Sequence, residues 1–137
     1  MDGATFKEAD VMAKRRVMVV EDEPIIREFV CELLSAEGYE IEDYESADEA
    51  FGCLKDHADK IDLLITDIRM PGELDGADLT NLVLDQWPSI RVIVMSGHET
   101  PETAGIASRV AFLPKPWSIG QLIDSVQDVT AFQPVAH

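Results

Sequence analysis

Short apolar runs that stop abruptly at polar or charged residues, alternating with stretches of helical periodicity, constrain this chain more than any other feature. Arg16 to Val20 is ended by Glu21-Asp22-Glu23-Pro24, Ile61 to Thr66 stops at Asp67, and Ile90 to Met95 stops at Ser96-Gly97. Continuous runs of this kind are buried on both faces, as parallel strands are when helices cover each side of a sheet. After the first run, Ile25, Ile26, Phe29, Val30, Leu33 and Leu34 recur at helical spacing behind Pro24 and ahead of Gly38. Proline suits the first position of a helix and glycine the residue that follows its end. Tyr39 to Tyr44 reads as another strand, and Ser46-Ala47-Asp48-Glu49 has capping-box spacing before a helix carrying Ala50, Phe51 and Leu54. Leu79, Leu82, Val83 and Trp87 form a further stripe, closed by Pro88. Thr100 to Ser108 supports at most a short, poor helix, Val110 to Leu113 a short strand, and Ser118 to about Thr130 a last helix with Ser118 and Gln121 at capping-box spacing. Strand and helix alternate throughout, so the expected class is α/β: a three-layer, doubly wound sheet of five parallel strands with a short or irregular fourth helix.

A length of 137 residues suits one domain. The expected division is a flexible leader over 1–14, one folded unit over 15–130 and a tail over 131–137. Acidic residues number 27 against 11 basic ones, a formal net charge of -16, and such a surface repels nucleic acid. Cys31 and Cys53 fall in expected helices without metal-ligand spacing, which argues against a zinc site or disulfide framework and suits a reducing cytoplasm. No apolar run approaches the roughly 18 residues of a membrane span, and the first residues lack the apolar stretch of a signal peptide. A cytoplasmic protein with no membrane partner is expected.

Sheets of this class bind ligands beyond the carboxyl ends of their strands, where the strand order reverses. Glu21 and Asp22 follow the first strand, Asp67 the third, Ser96 the fourth and Lys115-Pro116 the fifth. Two carboxylates about 4 Å apart repel by roughly 4 kcal/mol at an effective dielectric of about 20, so three in one crevice call for a cation or shifted pKa values. Few protein carboxylates with open positions for water and phosphate oxygens suit magnesium better than calcium, and manganese should substitute. The chemistry open to such a group is phosphoryl transfer to a carboxylate. Asp67 would be the nucleophile, the cation and Lys115 would neutralise charge, and Ser96 would donate a hydrogen bond to a phosphoryl oxygen.

With these residues in place, the chain resembles a receiver domain of bacterial two-component response regulators, of the chemotaxis type and apparently stand-alone. The resemblance is carried by Val17-Met18-Val19-Val20-Glu21-Asp22-Glu23-Pro24, by Leu64-Ile65-Thr66-Asp67-Ile68-Arg69-Met70-Pro71, by Val94-Met95-Ser96-Gly97 and by Leu113-Pro114-Lys115-Pro116-Trp117, which together span nearly the whole chain. It implies the flavodoxin-like strand order 2-1-3-4-5, of which this family is itself the usual illustration. It also implies Asp67 as phosphoacceptor, magnesium held by Glu21, Asp22, Asp67 and the backbone carbonyl of Arg69, Ser96 as the switch hydroxyl and Lys115 on the phosphoryl group. Phe112 occupies the aromatic switch position, and the Lys115-Pro116 bond is expected to be cis. Arg69 and His98, two residues after the acceptor and two after the switch hydroxyl, would tune the lifetime of the phosphorylated state. The loop after Asp67 is longer than usual, and only 18 residues separate Ser96 from Lys115, fewer than the family usually has.

The implied function is a phosphoryl-accepting signalling switch rather than an enzyme, catalysing only its own phosphorylation and dephosphorylation. A sensor histidine kinase or histidine phosphotransfer protein would donate to it. Because the chain ends soon after its last helix, a separate effector protein would read the result, with a homodimer on phosphorylation also allowed. An aspartyl-phosphate-type phosphohydrolase is the first alternative, but such enzymes carry a second Asp two residues after the nucleophile, where this chain has Arg69. A phosphate-independent interaction module is the second, although none of the pocket residues is missing. A flavin or nucleotide binder would need a glycine-rich loop where Glu21-Asp22-Glu23 stand. His57 and His137 read as surface or tail residues, Trp117 as core beneath the site, and the acidic stretch from Glu37 to Glu49 as a solvated face.

Overall fold

The computed structural model describes residues 15–97, 99–106 and 110–131. The expected leader over 1–14, His98, residues 107–109 and residues 132–137 of the expected tail, His137 included, lie outside the described residues. Five strands, β1 (Arg16–Val20), β2 (Glu40–Tyr44), β3 (Leu63–Asp67), β4 (Arg91–Ser96) and β5 (Ala111–Pro114), form one sheet in the order β2-β1-β3-β4-β5, with every pairing parallel. Between and after them come α1 (Pro24–Ala36), α2 (Ala47–His57) with a following 3-10 turn (Ala58–Lys60), α3 (Gly76–Gln86), α4 (Pro101–Ala104) and α5 (Ile119–Ala131). The class and strand order are those expected. No helix among the described residues is long and apolar enough to cross a membrane.

The period of two along each strand divides the apolar side chains between two cores. Met18, Val20, Leu64, Val92 and Val94 face one way and pack with Ala50 and Leu54 of α2 and Leu79 and Val83 of α3. Val17, Val19, Leu63, Ile65, Ile93 and Met95 face the other way, against Val30 and Leu34 of α1 and Leu122 and Val126 of α5. Burial on both faces is why β1, β3 and β4 read as unbroken apolar runs. β1 lies between β2 and β3, so its carboxyl end and that of β3 border the crevice where the chain's winding changes sides.

Helix starts are held by short-range side-chain bonds. The Ser46 hydroxyl accepts from the Glu49 amide at 3.1 Å, and Ser118 and Gln121 cap α5 reciprocally, as their spacing predicts. Asp75 and Asp78 form a further reciprocal box at the start of α3. Helix α4 is a single turn. Gly105 ends it at φ +74°, a left-handed conformation that glycine adopts without steric cost, and the Asn81 amide of α3 donates to the Gly105 carbonyl at 2.8 Å. Ile106 then turns into the core.

The acidic stretch is not simply solvated. Arg16 pairs with Glu40 and Glu42, Arg27 with Asp43, and both Asp48 carboxylate oxygens accept backbone amides, those of Glu73 and Leu74, from the long loop after β3. His57 is a half-buried surface residue with Nε2 3.2 Å from Glu42 Oε1, a carboxylate that also binds Arg16 and Tyr44.

At one point the backbone approach admits no side chain. A Cβ on Gly76 would lie 1.6 Å from the carbonyl oxygen of Asp67 and 2.9 Å from the Ile68 Cα, while the Gly76 amide donates to the Ile68 carbonyl at 2.7 Å. The first turn of α3 therefore presses directly on the end of β3. Gly76→Ala should destabilise the domain by about 3 kcal/mol or more, since the clash is with backbone. Gly52→Ala, in the exposed middle of α2 with nothing within 4 Å of its Cβ, should stabilise by roughly 0.5–1 kcal/mol. Urea denaturation of the two variants beside the parent checks both.

Candidate functional site

Glu21 leaves the end of β1 with its backbone pinned on both sides. Its amide donates to the Tyr44 carbonyl at 3.1 Å, and its carbonyl accepts from Arg27 Nη1 at 2.8 Å, so α1 holds the turn that it follows. The Glu21 side chain is fully buried. Its Oε2 accepts the Glu23 amide at 3.2 Å, whereas Oε1 has no hydrogen-bond partner. Asp22, next in the chain, is half-buried.

Asp67 ends β3 and is 9% exposed. One carboxylate oxygen, Oδ1, accepts the Ile68 amide at 2.8 Å, and the other, Oδ2, accepts from Lys115 Nζ at 2.9 Å. Lys115 Nζ also lies 3.9 Å from Glu21 Oε1. The lysine is placed by its own amide, which donates to the Ser96 carbonyl at 2.7 Å, and its bond to Pro116 is cis. Carboxylate oxygens of Glu21, Asp22 and Asp67 all lie within 4.8 Å of one another, a grouping that could hold a metal ion.

Burial, and next the charge of Asp67, push the Glu21 carboxyl up to about 7, against the smaller opposing effects of the Glu23 amide and Lys115. For Lys115 burial acts downward, but its hydrogen bond to Asp67 and the charges of Asp67, Glu21 and Glu23 outweigh it, and its pKa is raised. One ammonium does not neutralise three acids.

Ser96 ends β4 and is buried, with its hydroxyl turned to the next loop: Oγ donates to the Glu99 carbonyl at 2.9 Å and accepts from the Glu99 amide at 3.0 Å. Arg69 is exposed, and its Nε and Nη2 both donate to Glu99 Oε2. Phe112 is half-buried against the core on the α2 and α3 side. His98 falls outside the described residues. Trp117 is not interior core but half-buried, stacked on Phe29 with ring centroids 6.3 Å apart and planes 8° from parallel. Glu99 is the residue that sequence reasoning misses. Its one signal is a position three after Ser96, and a loop glutamate is ordinary there.

A sequence model described as the response regulator receiver domain matches residues 17–127. The chain belongs to this family. Among curated relatives of the receiver domain, the transcriptional regulatory protein PdtaR of Mycobacterium tuberculosis is 37% identical over 131 residues, which cover 93% of this chain and 62% of that protein. The sensor kinase CckA of Brucella abortus is 29% identical over 126 residues, 90% of this chain and 13% of that protein. The chain thus spans less than two-thirds of the length of either relative. Among solved structures, a response regulator receiver protein from Sinorhizobium medicae superposes with a TM-score of 0.80 at 25% identity, covering 88% of this chain and 98% of that one. NtrX from Brucella abortus gives a TM-score of 0.76 at 33% identity over 88% of this chain and 28% of that one. Receiver domains are regulatory modules of two-component signalling, and the fold and cluster described above are those of this receiver domain.

The charge crowding has a measurable consequence. Glu21 binds its proton more tightly folded, at about 7, than unfolded, at about 4.5, so its contribution to stability is fully present below the lower value and is lost as pH rises through the higher one. Lys115, raised from an already high value, contributes no change in that window. In EDTA, stability should therefore fall between about pH 5 and about pH 7.5, by at most roughly 3 kcal/mol, and Glu21→Gln should flatten the slope. Urea midpoints at both pH values measure it, and equal slopes for parent and variant would refute the assignment.

Proposed function

We propose that this receiver domain is a phosphoryl-accepting switch in which Asp67 is the acceptor. The observation that carries the reading is the strand-end Asp67 held by Lys115 inside a cluster of three carboxylates. In the step, an oxygen of the Asp67 carboxylate forms a bond to phosphorus while the bond from phosphorus to the donor's imidazole nitrogen breaks, and the freed imidazole takes up a proton. Lys115 Nζ, already on Oδ2, orients the carboxylate and meets charge that builds on the phosphoryl oxygens. Ser96 would donate its hydroxyl to one of those oxygens, and Phe112, opposite Val94 on the neighbouring strand, would follow it.

The residues fit a divalent cation. Glu21 Oε1 is buried without a hydrogen-bond partner, and the three carboxylates crowd together beside Lys115, the one ammonium in contact with them among the described residues. Glu21, Asp22, Asp67 and the backbone carbonyl of Arg69 would hold magnesium, with manganese in its place. Bound there, the ion supplies positive charge that offsets the repulsion between Asp67 and the incoming phosphoryl group. A histidine kinase or a histidine phosphotransfer protein would be the protein donor, an effector protein would read the altered surface, and the reading implies a cytoplasmic setting. The working unit is residues 15–130. Arg69 and His98, at the edge of the crevice by sequence position, would set how fast water removes the phosphoryl group. The phosphohydrolase alternative is not favoured, since the position of its acid/base carboxylate is taken by Arg69, whose guanidinium is held by Glu99.

Incubation with a small acyl phosphate and magnesium should add one phosphate by intact mass, sensitive to hydroxylamine. It should be lost in Asp67→Asn and suppressed by excess EDTA; a phosphate that persists in that variant sinks the assignment. Magnesium at about 100 times its dissociation constant should also stabilise the protein by roughly 2.7 kcal/mol. Thermal melts with and without the ion give that figure.

A further inference from the structure

Glu99 binds both Arg69, two residues after Asp67, and Ser96, at the end of β4. Its carboxylate accepts from Nε and Nη2 of Arg69, which arrives from the loop after β3, and its backbone amide and carbonyl both engage the Ser96 hydroxyl at the end of β4. The Arg69 side chain is 79% exposed and that of Glu99 only 14%, so the guanidinium spans from solvent onto a largely covered carboxylate. A serine hydroxyl has one proton to donate. Here that proton goes to the Glu99 carbonyl, so Ser96 has none to offer a group on Asp67 until this bond breaks.

A phosphoryl group on Asp67 would bring close to two negative charges and three acceptor oxygens, a stronger partner for a guanidinium than one carboxylate. We propose that Glu99 is a positioning residue that competes with the phosphoryl group for Arg69 and Ser96, so that phosphorylation opens the Arg69–Glu99 clasp. The inference rests on Asp67 being the acceptor. Its consequence runs into α4. Glu99 is followed by Thr100, whose carbonyl accepts the Ala104 amide at 3.0 Å and whose hydroxyl accepts the Thr103 amide at 3.2 Å. Moving Glu99 thus moves the residue that starts α4, a helix of four residues tied at its far end to α3 through Asn81 and Gly105. The clasp holds that helix start in the resting position, and its opening is the route from the acceptor to the surface.

Beryllofluoride with magnesium, a phosphoryl mimic that needs no group transfer, is the probe. Its affinity is measured from the fluorine NMR signal of the bound form in four proteins: the parent, Glu99→Gln, Arg69→Ala and the double variant. Removing a negative charge near an anion site helps binding in any mechanism, so the comparison between backgrounds decides. The clasp predicts that Glu99→Gln tightens binding roughly three- to tenfold when Arg69 is present and less than about twofold when it is absent. Equal gains in both backgrounds, or no gain in the parent background, overturn the proposal while leaving the acceptor reading intact. Failure of the parent to bind the probe at all overturns both.

Discussion

Three carboxylates meet at the carboxyl edge of the two central strands, and Lys115 is the ammonium that touches two of them. That imbalance of charge is the constraint around which the rest of the molecule is arranged. A carboxylate as deeply buried as Glu21, with an oxygen that no donor reaches, is held by surrounding structure and not by its own interactions. The structure responsible can be named: the Tyr44 carbonyl and the Arg27 guanidinium fix the Glu21 backbone, the two-sided apolar burial of β1 and β3 fixes the separation of Glu21 from Asp67, and the Ser96 carbonyl fixes the start of the loop bearing Lys115.

Seen as energetics, the site works against the fold. The cores on the two faces of the sheet stabilise the domain, while the edge of the same strands carries repulsion that would be relieved by neutralising any one acid. The proposed function gives a reason for tolerating the acids: a crevice that repels itself when empty would gain from a cation, and a proposed acceptor beside a cation and an ammonium is one that an anion could approach. Gly76 belongs to the same design. By admitting the first turn of α3 against the Asp67 carbonyl, it places a helix behind Asp67 with no side chain between them.

The segment from Ser96 to Lys115, which the resemblance implies is short for the family, carries α4 as a single turn. With one turn in α4 there is little helix to transmit a shift, and under the proposed clasp the path from Asp67 to the surface is correspondingly short, through Arg69 and Glu99 to Thr100. On the opposite side, the long loop after β3 is secured by Asp48, so an acid that looks like part of a solvated run is structural, and the loop that carries Arg69 starts and ends on fixed points.

The order of strands and helices, the class of the sheet and the residues standing at the strand ends were all legible in the sequence, because burial on two faces, helical periodicity and capping are local and leave a pattern along the chain. The candidate carboxylates, Ser96 and Lys115 were legible for the same reason, each marking the point where an apolar run breaks off. What only the tertiary structure decided is which of them share partners. The unpartnered oxygen of Glu21, the half-burial of His57 against Glu42, the stacking of Trp117 on Phe29 and the attachment of both Arg69 and Ser96 to Glu99 all join residues from separate elements. A loop glutamate three residues after a serine has no periodicity and no motif, and its role exists only once two loops from different strands are brought to the same edge of the sheet.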